Sequence, residues 1–289
     1  MPHSRFGLPS LYLAIFLLAL TGLFAKLIPL DATTLIQLRG VVATVGLALF
    51  SLLRKRNLKL GGIRSYLGVY ALGLLLGVHW VTFFHAMQVS SVAVGMLAMF
   101  SYPMITILLE PLFTRQSIKA GDIVAGAIML AGLAIMVGQN LTDLQGPITK
   151  GVLWGVLSAL LFALRNLFQK YHFNTVSSDS LMFHQVAAVG LMLAIFVDYQ
   201  QVQTLAAADF LNLVLLGIIS TAVAHTLLIY SLKQMPAKSV ALISCLQPLI
   251  AAILAWYVVN EIPNMSVLIG GGMVLSVAAY ESVQKQRVA

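Results

Sequence analysis

Ten apolar runs, each about as long as a bilayer is thick, follow one another through this chain with only short polar links between them. A helix needs roughly 20 mainly apolar residues to cross the hydrocarbon core. The runs are Leu8–Ile28, Thr33–Leu53, Ser65–Met87, Ser91–Phe113, Ala120–Gly138, Gly151–Tyr171, Ser180–Val197, Phe210–Leu232, Ser239–Val259 and Met265–Val283. They are continuous rather than alternating, so a membrane β-barrel is not the main element. Charged residues make up only 9% of the 289, against 60% hydrophobic. A soluble domain carries roughly 25%, so the large core this chain can build faces lipid. The expected class is an all-α integral membrane protein, multi-pass, in the inner (plasma) membrane. The first run is long for a signal peptide and lacks a clear small-x-small cleavage site before Asp31, so it reads as a retained first helix.

The formal charge of +8 does not point to nucleic acid, because no basic stripe with interleaved aromatics lies outside the apolar runs. Lysine and arginine instead mark orientation. With the N-terminus inside, thirteen of the 17 fall on cytoplasmic segments: Arg5, the group Arg54, Lys55, Arg56, Lys59 and Arg64, then Arg115, Lys119, Lys170, Lys233, Lys238, Lys285 and Arg287. Only Lys150 falls outside, and Lys26, Arg39 and Arg165 lie within spans. The expected topology is N-in/C-in. The single cysteine, Cys245, cannot form an internal disulfide and is uninformative about compartment.

The chain also repeats itself. The stretch His79 to Pro111 reads as two apolar helices meeting at Gln88-Val89-Ser90, and its design returns in Ala224 to Glu261. At one offset of 145, Pro103 falls on Pro248, Met87 on Leu232 and His85 on Tyr230. Lys26 falls on Lys170 and Arg39 on His184 within one residue of that offset. Five spans per half is odd, so the second half enters the membrane in the opposite sense, an inverted pair suited to inward-open and outward-open states. The expected division is a first five-helix repeat over 1–140, an outer linker over 141–150 and a second repeat over 151–289.

These residues resemble the drug/metabolite transporter superfamily in its ten-helix EamA-like branch, over essentially the whole chain. The resemblance rests on the two-times-five plan, the Lys26–Arg39 spacing, the small-residue helix start before each proline, and Pro248 followed by the run to Asn260-Glu261. In the first half the position equivalent to Glu261 is Gln116, and the family's glycine is Asn260, so a symmetric acid pair is not expected. The resemblance implies a carrier of small organic solutes, often amino acids and frequently exported, through a central cavity between the halves.

Ionisable groups within a membrane usually face a cavity or a partner. Arg39 can grip a carboxylate in two parallel bonds, or it can snorkel or tie helix ends; Arg165, beside Asn166, favours the first reading. Glu110 reads as a partner of Arg115 or Lys119. His79, Trp80 and Phe83 are expected to line the cavity or join the aromatic belt, which fits Phe84 and His85 better. His79 could also couple transport to protons. In the fourth and ninth spans Tyr102, Ser244 and Gln247 are expected to face solute, with Pro103 and Pro248 as hinges. Gly73-x3-Gly77, Gly151-x3-Gly155 and Ala127-x3-Ala131 are packing patterns. Gly270-Gly271-Gly272 has no phosphate-loop context, and no nucleotide, cofactor or metal motif is present.

The function expected is a secondary transporter, an exporter or exchanger of an amino acid or related carboxylate working by alternating access as a monomer or homodimer. A planar solute such as riboflavin is the second reading, and a non-transporting membrane subunit the third. A membrane enzyme is not expected, since no nucleophile has a base in register and no paired acids occur.

Overall fold

A computed structural model describes residues 7–90, 92–115, 118–137, 146–259 and most of 265–280. Among them every regular element is helical. The first run folds as α1 (Gly7–Ala19) and α2 (Thr21–Leu27), the second as α3 (Ala32–Leu53) and the third as α4 (Ile63–Val89). The fourth is broken into α5 (Val92–Met99) and α6 (Tyr102–Thr114), and α7 (Ala120–Val137) closes the first half. In the second half come α8 (Pro147–His172), α9 (Ser178–Leu193), a short surface helix α10 (Tyr199–Gln203), then α11 (Ala207–Gly217) and α12 (Ala224–Gln234). The next run is again broken, into α13 (Ala237–Ser244) and α14 (Leu246–Val259).

Among the described residues six segments are long and apolar enough to cross a membrane, and shorter apolar helices lie within the other four expected runs. The outward face carries large apolar side chains such as Leu53, Leu112, Ile195 and Tyr257, which belongs in lipid rather than water. The chain is a multi-pass membrane protein.

Both broken runs fail at their prolines. A proline has no N–H to reach the carbonyl four residues back, so Pro103 and Pro248 remove the partners of Met99 and Ser244. The turn tightens before each: Ser101 N–H bonds Ala98 O at 3.1 Å and Cys245 N–H bonds Leu242 O at 3.2 Å, both three residues back. Equivalent interruptions thus sit at equivalent places in the two halves.

Packing joins the halves. Helix α4 lies against α8 and α9, α3 against α9, α1 against α12, and α6 against α13. Gly73 permits the α4–α9 approach, since a Cβ there would lie 2.6 Å from Ala188 Cβ and 2.8 Å from Gln185 O. Gly155 serves the same purpose between α8 and α5, where Ala98 Cβ would be 2.4 Å away. The alanine pattern does not act this way: Ala127 and Ala131 are exposed, and it is Gly126 that meets Met104 and Ile107.

Asp31 starts α3 by accepting from Thr33 N at 2.9 Å and Thr34 N at 3.1 Å. Its own N–H donates to Gln201 Oε1 of α10 at 2.9 Å. Asp31→Ala should lower stability by about 1 kcal/mol, the usual worth of an N-cap, read as a lower Tm of detergent-purified protein.

Candidate functional site

Arg39 lies two turns into α3 and is 2% exposed. Its Nε donates to Thr221 Oγ1 at 2.6 Å, while its guanidinium carbon lies over Trp80, 4.1 Å from the ring centroid. Thr221 can reach it because the chain between α11 and α12 winds as a π-helical turn, Ile218–Val223. The wider turn lets Thr221 Oγ1 bond back to Leu216 O at 2.7 Å, five residues behind. Such turns are rare and frequent at functional sites.

Around this pair a cavity of about 40 Å³ opens between the halves. Trp80, His79 and Phe83 of α4 and Tyr102 of α6 line it together with Arg39, and Ser244 and Gln247 come from the second half. His79 is held by Ser158: its Nδ1 is 2.7 Å from Ser158 Oγ and 3.0 Å from Ser158 O. Its ring stacks on Phe162 at 4.6 Å. Tyr102 packs edge-on to Phe162 at 5.0 Å and its hydroxyl donates to Ala241 O at 3.3 Å. Gln247 Nε2 donates to Leu18 O at 3.4 Å.

Seven of the nine expected binding residues therefore surround one cavity. Arg165 and Asn166 do not. Arg165 is fully buried in a separate network, with Nε donating to Gln185 Oε1 at 2.7 Å and Nη1 to Asn166 Oδ1 at 2.9 Å. Gln185 in turn donates to Gln169 Oε1 at 2.7 Å. A position on α8 was readable from the sequence, but not which side of the helix meets the cavity. His184, the repeat partner of Arg39, is likewise elsewhere, with Nε2 2.9 Å from Leu58 O. Phe84 is buried rather than in an aromatic belt, and His85 packs edge-on against Trp154 at 5.2 Å.

His225 was not among the expected binding residues. It is 3% exposed, lines the cavity and meets Trp80 edge-on at 5.3 Å. The signal was the repeat itself. Trp80 and His225 are related by 145, and so are three further pairs that line the cavity: Phe83 with Leu228, Met99 with Ser244, and Tyr102 with Gln247. The cavity is built on quasi-symmetric positions, aromatic in the first half and more polar in the second.

One end of the bundle is bolted across the halves. Glu110 of α6 does not pair with Arg115 or Lys119. It accepts from Tyr171 Oη at 2.6 Å, and from the backbone N–H of Ala237 and Lys238 at 2.9 Å each. The N-cap of α13 is Pro236, which offers no side-chain bond, so Glu110 caps that helix from the other half and meets its positive end. Lys238 pairs with Asp122 at 2.9 Å. Lys170 donates to Leu232 O and Met235 O, and Lys233 to Val176 O. A chamber of about 330 Å³ lies among these groups. Gln116, Asn260 and Glu261, on which the expected lack of an acid pair rests, lie outside the described residues, and Lys26 has no described side chain. Among the described residues no cluster could hold a metal.

The sequence profile described as the EamA-like transporter family matches twice, over residues 5–138 and 149–280. An uncharacterized transporter, YxxF, of Bacillus subtilis (strain 168) is 26% identical over 77% of this chain and 72% of its own length. An uncharacterized transporter of Archaeoglobus fulgidus is 22% identical over 94% of both chains. An S-adenosylmethionine uptake transporter of Rickettsia conorii is 24% identical over 72% of this chain and 69% of its own. A crystal structure superposes with a TM-score of 0.82 over 98% of both chains at 15% identity, which is a likeness of fold alone.

Proposed function

The chain belongs to the EamA-like transporter family, and on that premise we propose that it is a secondary transporter working by alternating access. Its cargo is an amino acid or related carboxylate, with a planar metabolite such as riboflavin as the second reading. The observation that carries this reading is a buried guanidinium and an aromatic cluster on quasi-symmetric positions between two halves. A cavity of about 40 Å³ is far below the roughly 300 Å³ of a loaded small-molecule site, so loading must spread the halves, with the breaks at Pro103 and Pro248 as the bending points.

In this reading ten spans form two inverted repeats, 1–140 and 151–289 joined by 141–150, with both termini in the cytoplasm and the chain in the inner membrane. The bolted end carrying Glu110 is then the cytoplasmic gate, closed. Binding falls to Arg39, His79, Trp80, Phe83, Tyr102, Ser244 and Gln247, with Arg165 and Asn166 acting from behind. His79 is the residue for proton coupling, and Ser158 its partner. Export or exchange, by a monomer or homodimer, completes the proposal.

Purified protein in liposomes, assayed for counterflow of labelled amino acids, aromatic acids, riboflavin and S-adenosylmethionine, tests it. Arg39→Ala and Trp80→Ala should each lower flux at least about 10-fold, the size expected when a charge-assisted or stacking contact is lost. Unchanged flux in both would move the site elsewhere, and no flux of any solute would remove the transport reading.

A further inference from the structure

Two guanidiniums are buried inside this bundle, Arg39 at 2% exposure and Arg165 at 0%. Among the described residues the ion pairs are Arg56–Asp179 and Lys238–Asp122, so neither buried arginine has a carboxylate. A buried charge without a partner is costly and persists where something supplies the opposite charge. At Arg39 only Nε is bonded to a described residue, and its terminal nitrogens remain for a ligand. His225 lines the same cavity, and its Nδ1 is buried with no hydrogen-bond partner among the described residues. No acidic side chain lines the cavity among the described residues.

We propose that the cargo is a net anion, a planar aromatic acid whose acidic group lies between Arg39 and His225. Its ring would rest against Phe83 and Tyr102 of the first half and Phe162 of the second. The proposal rests on the transporter reading and narrows it. A guanidinium with free terminal nitrogens matches a carboxylate or phosphate by its fork geometry, and an imidazole N–H adds a third donor. The same features reject cations. Trp80, the best face for a cation, is already covered by Arg39 at 4.1 Å, and Arg39 repels any second positive charge. A sulfonium cargo, as named for the Rickettsia relatives, therefore has no seat here, and an α-amino acid brings an ammonium that the charged lining opposes.

The experiment uses matched probes sharing one ring: 3-phenylpropionate, phenylalanine and phenethylamine, with indole-3-propionate, tryptophan and tryptamine as a second set. Each is scored by thermal stabilisation of purified full-length protein and by counterflow in liposomes. Binding of the folded state raises apparent stability by mass action. The acids should stabilise and be carried, at least about 10-fold better than the amino acids, and the amines not at all, as a charge-assisted grip replaced by repulsion requires. Arg39→Gln should lose acid binding yet leave the empty protein equally or more stable, because it removes an unpaired buried charge; His225→Phe should weaken acid binding and spare the fold. Flux of amino acids or amines with none of the acids overturns the net-anion proposal and leaves transport standing. Equal affinity for acid and amino acid overturns it too. Absence of flux for every solute in the wider panel removes the transport reading on which it depends.

Discussion

Glu110→Ala should open the bolted end. The substitution strips three donors of their acceptor at once: the Tyr171 hydroxyl and the N–H groups of Ala237 and Lys238. A buried donor left without a partner costs about 1–3 kcal/mol. Water entering as the gate parts can satisfy all three. The penalty therefore falls on the closed arrangement, and a shift of about 3 kcal/mol moves the balance roughly 100-fold. A cysteine placed at Ile107, which lines the chamber behind Glu110 and is 2% exposed, gives the readout. In inside-out vesicles a membrane-impermeant maleimide should label it at least about 10-fold faster in the Glu110→Ala background, by that same shift. Glu110→Gln, which keeps one acceptor oxygen, should fall between. Unchanged labelling in folded Glu110→Ala protein would show that this carboxylate does not hold the end shut.

Gly73→Leu is expected to be the most damaging single change to the fold. The obstruction at Gly73 includes main chain, Gln185 O at 2.8 Å and Gln185 Cα at 3.0 Å, which no rotamer change can relieve. Helices α4 and α9 would have to move apart, and the Arg165–Gln185–Gln169 network would move with them. Overpacking a tight contact costs about 1–3 kcal/mol, and disturbing the buried polar network adds to that. Folded yield on size exclusion and the Tm should both fall, while Gly121→Leu, with nothing within 4 Å, should match the parent. A normal Tm for Gly73→Leu would mean that the two helices are not packed as described.

Much of this was readable without coordinates. The continuous apolar runs and the paired prolines gave the helical segments and both interruptions, because hydrocarbon thickness and a missing N–H act locally. The cluster His79, Trp80 and Phe83 was found because helical spacing brings those residues to one part of a single helix. Arg165 was grouped with them on burial alone, and spacing within α8 could not say that its Nε would meet Gln185 of α9, 20 residues further along the chain. Glu110 was assigned to nearby cations by proximity in sequence, whereas its partners lie 61 to 128 residues away. His225 stood out as an ionisable group within a span, but nothing local in its own helix tied it to the cavity. Applying the offset to Trp80 would have found it.

The pairing of cavity positions has a consequence for how such a chain changes over generations. After a duplication each wall position exists twice, so one copy can hold shape while the other drifts in chemistry. Here Trp80 keeps a broad ring opposite His225, and Tyr102 keeps bulk opposite Gln247. A new cargo preference then asks for a codon change or two at the diverged member, with no redesign of the scaffold.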